Sequence, residues 1–179
     1  MYVGITGFRN AQIADFTALL EGTRSERPQR VWVQLFNADL VATWEHLYFA
    51  VINALTAFRS KRNISKSPAM ETMLYASAQR QIEKALAKMG VKRGVSNVAV
   101  TVIGESPESV KATLTAVSKL VGIAADESVL ELQAEKLQGI RRAFGITENE
   151  LIAILEKGNV EQAVANLVIE RMALLQTQL

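Results

Sequence analysis

Apolar and polar positions form three short, extended patterns that predict β-strands. Tyr2 to Thr6 and Val31 to Phe36 are short and rich in β-branched and aromatic residues, which favour extended backbone. The pattern is clearest from Asn97 to Ile103, where valines at every second position alternate with Ala, Thr and Ile. Because both faces of this segment are largely apolar, we expect a central strand that is covered on both sides.

A second pattern, with apolar residues every three or four positions, predicts a long helix that starts after Asp39 as N-cap and runs to about Phe58. His46 falls on its polar face. The predicted buried stripe consists of Leu40, Trp44, Leu47, Tyr48, Val51, Leu55 and Phe58.

Prolines, glycines and capping residues bound the remaining helices, and Thr147 with Glu150 and Asn159 with Gln162 have the spacing of capping signatures. The helix that begins at Ser67 and Pro68 is interrupted by polar residues 77–81 and ends at Gly90, so we expect a break inside it. Other helices are predicted at Ala11–Leu20, Ser106–Val121, Ala134–Phe144, Glu148–Lys157 and Val160–Gln176. The pattern indicates an α+β fold, a single domain over residues 1–179. We expect a small mixed or antiparallel sheet of about three to four strands packed by about seven or eight helices.

Composition narrows the functional classes. Apolar residues make up 49% and charged residues 21% of the 179 positions, as in ordinary globular domains. The chain has no cysteine, so it has neither disulfides nor thiolate metal ligands. It shows no signal-peptide pattern, and its apolar stretches are too short to span a bilayer. We therefore expect a soluble, cytoplasmic protein without a membrane contact.

The chain carries few candidate catalytic residues. His46 is the single histidine, and its position on the polar side of a helix favours a surface residue over a general base. One histidine cannot complete a zinc site. Gly4 to Phe8 lacks the spacing and the lysine of a phosphate-binding loop. We expect no catalytic residue, metal or cofactor; a small enzyme that uses His46 and Glu45 is the disfavoured alternative.

The net charge of +2 conceals an uneven distribution. Residues 59–93 carry nine basic and two acidic side chains, whereas residues 124–179 carry nine acidic and five basic ones. The basic block begins with Arg59, Lys61, Arg62 and Lys66, to which Asn63 and Ser65 add neutral donors. Arg80 and Gln81 interrupt an apolar pattern, which allows them to share that surface. Such groups suit phosphates and the edges of unpaired bases, while a loop made basic for solubility remains the alternative. Lys84 and Lys88 are expected on a solvated face.

The last predicted helix is apolar on nearly all sides, so its own domain or a partner must bury it. We favour docking of a partner. Arg171 falls on the apolar side and would need a carboxylate or a carbonyl oxygen if it is buried.

Several ordered blocks resemble one known family. They are FNADLV at 36–41, WEHLYFA at 44–50, NISKS at 63–67, AME at 69–71, YASAQRQI at 75–82 and NLVIERMALL at 166–175. Together they are similar to the archaeal small kinase-binding subunit of the KEOPS tRNA-modification complex, whose animal counterpart is TPRKB. The resemblance spans nearly the whole chain.

This resemblance implies a non-catalytic adaptor. Members of the family bind the atypical kinase/ATPase subunit of KEOPS through their C-terminal helices, and archaeal members bind tRNA, including its 3′ CCA end, to support threonylcarbamoyladenosine modification. The implied kinase-binding residues are apolar positions of the last helices that we expect to be exposed: Ile152, Leu155, Ala165, Val168, Ile169 and Met172. The implied tRNA-binding residues are Arg62, Asn63, Lys66, Arg80 and Gln81.

A protein-interaction module without nucleic-acid binding is the rival hypothesis. Residues 158–164 are similar to the last helix of the three-helix ubiquitin-associated fold. That likeness covers only the end of the chain and leaves the blocks from 44 to 82 without a role.

Overall fold

Three antiparallel strands form the sheet in the computed structural model, which describes residues 1–11, 21, 30–92, 94–155 and 159–176. The strands are β1 (Tyr2–Phe8), β2 (Trp32–Asn37) and β3 (Val98–Gly104), in the order β1-β3-β2. Every residue of β3 is buried, which confirms the prediction of a covered central strand. The helix predicted at Ala11–Leu20 lies, apart from its first residue, outside the described residues.

Seven α-helices are present in the described part of the chain, together with short 3-10 helices at Ala38–Leu40, Glu127–Leu130 and Leu174–Gln176. The α-helices are α1 (Trp44–Arg59), α2 (Pro68–Ser77), α3 (Ile82–Met89), α4 (Pro107–Val121), α5 (Ala134–Phe144), α6 (Glu148–Ile154) and α7 (Val160–Ala173). The α+β prediction is confirmed, with an antiparallel sheet. No helix among the described residues is long and apolar enough to cross a membrane.

The sheet separates two apolar clusters because side chains alternate between its faces. Val98, Val100 and Val102 share one cluster with Val110 and Val117 of α4. Ala99 belongs to the larger cluster on the other face, which is built mostly from α1, α2, α5, α6 and α7. β1 approaches α4 closely, since a Cβ atom at Gly4 would lie 2.6 Å from Cγ1 of Val110.

The start and the buried stripe of α1 differ from the prediction. Thr43 is the N-cap and accepts a hydrogen bond from His46 N, whereas Asp39 lies in the preceding 3-10 helix. Trp44 is 51% exposed and Tyr48 is 38% exposed. The residues that α1 buries are His46, Leu47, Ala50, Val51, Ala54 and Ala57. The alanines allow close packing against α2, so the buried face is centred on them and both aromatic rings turn outward.

The predicted break between α2 and α3 is confirmed. Ala78 has a φ of 51°, in the left-handed region, and α2 ends at Ser77. The capping box of α6 is also present: Thr147 accepts from Glu150 N, while the Glu150 carboxylate accepts from Thr147 N. The end of α2 and the start of α6 are set by residues within a few positions of each other, so the sequence alone predicts both.

Candidate functional site

His46 is fully buried, so its predicted place on the polar surface is wrong. Nδ1 accepts from Ala42 N at 3.3 Å, and Nε2 lies 2.8 Å from the carbonyl oxygen of Ala76. The ring also meets Phe144 edge-on, at 5.7 Å between centroids. Burial lowers the pKa of His46 to about 4, so the ring is neutral at pH 7. An imidazole without access to solvent, with both nitrogens engaged, joins α1 to α2 rather than acting as a surface base.

No group of three or more His, Cys, Asp or Glu residues that could hold a metal ion occurs among the described residues. The polar cleft at the end of the sheet, about 630 Å³ in volume, is lined by Arg9, Asp39 and Lys136, among others. Lys136 is 9% exposed, and its Nζ donates to the carbonyl oxygens of Val129 and Glu131. Burial lowers its pKa to about 8. These contacts tie α5 to the 3-10 helix before it.

The basic turn between α1 and α2, residues 59–67, presents charged side chains to solvent. Arg62 and Lys66 are exposed, and Asn63 is half-buried. Asn63 donates through Nδ2 to the carbonyl oxygen of Ser65 at 2.9 Å. The Nε atom of Arg62 donates to Ser60 Oγ at 3.2 Å. The turn therefore offers four exposed cations, those of Arg59, Lys61, Arg62 and Lys66, to an incoming polyanion, while the Asn63 amide is engaged within the turn.

Glu71, on the first turns of α2, organises this basic turn from the inside. Its carboxylate is completely buried and accepts from Ser65 N at 2.7 Å and from Ile64 N at 3.1 Å. Buried charges are costly unless hydrogen bonds satisfy them, and here backbone N–H groups do so. The backbone of the basic turn is thereby held in one conformation.

Arg80 and Gln81 lie at the opposite end of α2 from the basic turn. The 10 residues of α2 separate the two sets, a rise of about 15 Å. Arg80 is half-buried and Gln81 is exposed. The predicted tRNA-binding residues therefore form two positions one helix length apart rather than one cluster.

Lys88 does not lie on a solvated face, which corrects the prediction. Its Nζ donates to the carbonyl oxygen of Ser77 at 2.8 Å and lies 3.6 Å from the centroid of the Phe144 ring. Burial lowers its pKa to about 8. Lys88 thus links α3 to α2 and α5, and its ammonium group is turned toward Ser77 and Phe144 rather than toward the exposed basic surface.

The C-terminal helices divide the predicted kinase-binding residues into two groups. Ala165, Val168 and Met172 are buried in the larger apolar cluster, so the expectation that they are exposed is wrong. The helix is apolar nearly all round because α1, α2, α5 and α6 surround it. Ile152 is 65% exposed and Leu155 is 39% exposed. Ile169 is half-buried.

A groove of about 750 Å³ runs between α6 and α7. Ile154, Leu155 and Ala163 provide its apolar surface. Arg171, which is half-buried, binds the carboxylate of Glu150 across the two helices, and a carboxylate is one of the two partners predicted for a buried Arg171. The ion pair therefore links α6 to α7 next to exposed apolar side chains.

The sequence interpretation missed an exposed aromatic surface on the outer side of α1. The ring centroids of Trp44 and Tyr48 lie 5.9 Å apart, and Tyr48 is 5.9 Å from Phe49. Ile52 extends the same surface with 38% exposure. The alanines at every third or fourth position of α1 are the signal that could have found it, because they indicate where the helix packs closely.

A family model and a curated relative both match this chain, and both carry the same family name. The model of a family described as "Kinase binding protein CGI-121" matches residues 10–176. A similar curated protein is "Regulatory protein Cgi121" of Methanocaldococcus jannaschii, which is 37% identical over 126 residues. That match covers 69% of this chain and 79% of the relative. The resemblance inferred from the sequence blocks is confirmed at the level of the family.

Proposed function

Because this chain belongs to the CGI-121 family of kinase-binding proteins, we propose that it is a non-catalytic, cytoplasmic adaptor of a KEOPS-type complex. In this role it docks on the atypical kinase/ATPase and holds tRNA for threonylcarbamoyladenosine modification. The observation that carries the kinase part is the exposed apolar surface of the last helices, with Ile152 at 65% and Leu174 at 41% exposure.

The kinase-docking surface consists of the exposed members of the C-terminal set. Ile152, Ile154 and Leu155 follow one another within four residues at the end of α6, and all three are more than a third exposed. Exposure of clustered large apolar side chains to solvent is unfavourable in free energy, and their burial by a partner is favourable. The half-buried Ile169 and the groove beside α7 extend this surface. Ala165, Val168 and Met172 support it from below.

Co-purification with the kinase tests this surface. Ile152→Glu is expected to weaken binding by about 2 kcal/mol, roughly 30-fold, because a carboxylate would be buried at the interface. Leu120→Glu is the matched control, since Leu120 is 45% exposed on α4, beyond the sheet. Wild-type binding by Ile152→Glu, with both variants folded, would refute the docking surface.

The tRNA-binding surface consists of Arg62 and Lys66 at one end of α2 and Arg80 and Gln81 at the other. Their separation of about 15 Å spans a few nucleotides of an extended strand, which suits a single-stranded end better than one phosphate. The rigid basic turn organised by Glu71 supports this proposal, because a fixed array of donors loses little entropy on binding.

A tRNA-binding assay over a range of salt concentrations tests this part. The double change Arg62→Glu and Lys66→Glu is expected to weaken binding and to lower the salt slope by about one for each lost phosphate contact. The matched control is Lys111→Glu with Lys119→Glu, two exposed cations of α4. Equal loss in both double variants would indicate only non-specific attraction. Unchanged affinity for tRNA that lacks the CCA end would refute recognition of that end.

The non-catalytic assignment is supported by the position of His46, since the one histidine is enclosed and hydrogen-bonded on both nitrogens. The interaction-module alternative is disfavoured because the last three helices share their apolar cluster with α1 and α2.

A further inference from the structure

β1 is an outer strand of the sheet, and within the described part of the chain its outer edge is unpaired at Val3 and Ile5. In an antiparallel sheet, each residue directs both its N–H and its C=O to the same side. Gly7 accepts from Asp126 N at 2.8 Å, outside the sheet, so Gly7 faces outward. The N–H and C=O groups of Ile5 and Val3, two and four residues earlier, therefore point away from β3 as well. No hydrogen bond between described residues engages the outward N–H or C=O groups of Val3 or Ile5.

An apolar groove of about 490 Å³ accompanies the open part of this edge. Its walls include Val3 and Ile5 of β1, Trp44 and Tyr48 of α1, and Leu130. Exposed Trp and Tyr side chains beside a groove are typical of surfaces that bind proteins. The groove therefore lies beside the unpaired edge, on the side to which every second side chain of an added strand would point.

The rim of the groove is acidic. Glu127 and Glu131 line it and are exposed, and no basic side chain of the described residues lines it. A second copy of β1 would bring no complementary side chain, because residues 1–8 contain no Lys or Arg. A partner segment with basic side chains fits the charge of this rim.

We propose that β1 accepts an extended, basic segment of a partner protein as an additional strand. Main-chain hydrogen bonds form at Val3 and Ile5, an apolar side chain of the partner enters the groove against Trp44, and Lys or Arg side chains face Glu127 and Glu131. This mode combines backbone pairing with side-chain pockets. It uses β1, α1 and the 3-10 helix at Glu127–Leu130, whereas the proposed kinase surface uses α6 and α7, so each is tested separately.

Titration with synthetic peptides tests this proposal. The probe is a peptide of about six residues in which lysine and leucine take turns at every second position, so that both face the groove, with threonine at the positions between them; its counterpart carries glutamate in place of lysine. The lysine peptide is expected to bind at least about tenfold more tightly than the glutamate peptide. It should also slow amide hydrogen exchange at Val3 and Ile5. Methylation of the backbone nitrogens along one edge of the peptide should abolish binding.

Two variants distinguish main-chain pairing at β1 from non-specific electrostatic attraction of the peptide. Val3→Pro removes an N–H that faces away from β3 and so leaves the sheet ladder intact, yet it should abolish peptide binding. Trp44→Ala, at an exposed position, should weaken binding without unfolding the chain, and Leu120→Ala should have no effect. Equal affinity for both peptides, or no protection at Val3 and Ile5, would overturn the proposal. Self-association through β1, seen as a concentration-dependent dimer that Val3→Pro abolishes, would also overturn it.

Discussion

The imidazole of His46 is hydrogen-bonded to the last turn of α2, with Nε2 2.8 Å from the carbonyl oxygen of Ala76. Because Nδ1 accepts from Ala42 N, the ring proton resides on Nε2, which donates to Ala76. A single neutral side chain thus joins the segment before α1 to the end of α2. It adds a polar contact to the apolar packing between the two helices that bound the basic turn.

This bond predicts that acid destabilises the protein through His46. The folded state holds the pKa near 4, below the ordinary value of 6.5, so the unfolded state binds more protons between these values. Stability is therefore lost as pH falls from 6.5 to 4, by about 3 kcal/mol in all. Urea denaturation at a series of pH values measures it. His46→Gln should be less stable at pH 7 and should lack this pH dependence; a wild-type slope in the variant would contradict the assignment.

Glu71 is predicted to be required for tRNA binding although it is an acidic residue. Glu71→Ala leaves Ile64 N and Ser65 N without their buried acceptor, at a cost of about 1 to 3 kcal/mol. The basic turn should lose its fixed conformation, so tRNA affinity should fall despite the removal of a negative charge. Filter binding and urea denaturation measure the two effects. Glu83→Ala, at an exposed position on α3, is the control; tighter binding by Glu71→Ala would contradict the prediction.

Adjacent positions on α7 should respond differently to the same substitution. Val168 is fully buried, so Val168→Glu should cost about 3 kcal/mol or more and unfold much of the population. Ile169 is half-buried, so Ile169→Glu should leave the chain folded and weaken kinase binding. Circular dichroism with pull-down on the kinase distinguishes these outcomes. If Ile169→Glu unfolds the chain as Val168→Glu does, residue 169 belongs to the core and not to the docking surface.

The pair Arg171–Glu150 predicts a second, more acidic transition. The hydrogen bond from Arg171, followed by those from Thr147, lowers the pKa of Glu150 from 4.5 to about 2. Its stabilising contribution is present above 4.5 and is lost as pH falls toward 2. The difference in unfolding midpoint between wild type and Glu150→Gln should therefore shrink over that range. Glu148→Gln, at the more exposed pair with Arg141, should show a smaller difference; equal behaviour would contradict the prediction.

The sequence by itself determined the local elements of this protein. Strand segments, the break at residues 77–81 and the capping box at Thr147 and Glu150 depend on neighbouring residues, so their chemistry can be read directly. The family blocks likewise identified the kinase-binding family. Composition alone excluded disulfide and thiolate chemistry.

The tertiary structure decided which face of each helix is buried. In α1, close packing of Ala50 and Ala54 turns Trp44 and Tyr48 to solvent and places His46 inside. In α7, neighbouring helices cover Val168 and Met172, whereas Ile152 and Leu155 at the end of α6 lie outside the core and stay exposed. Helical periodicity shows that a stripe exists, but when apolar residues occur on several sides, only the shapes of the packing partners fix the orientation.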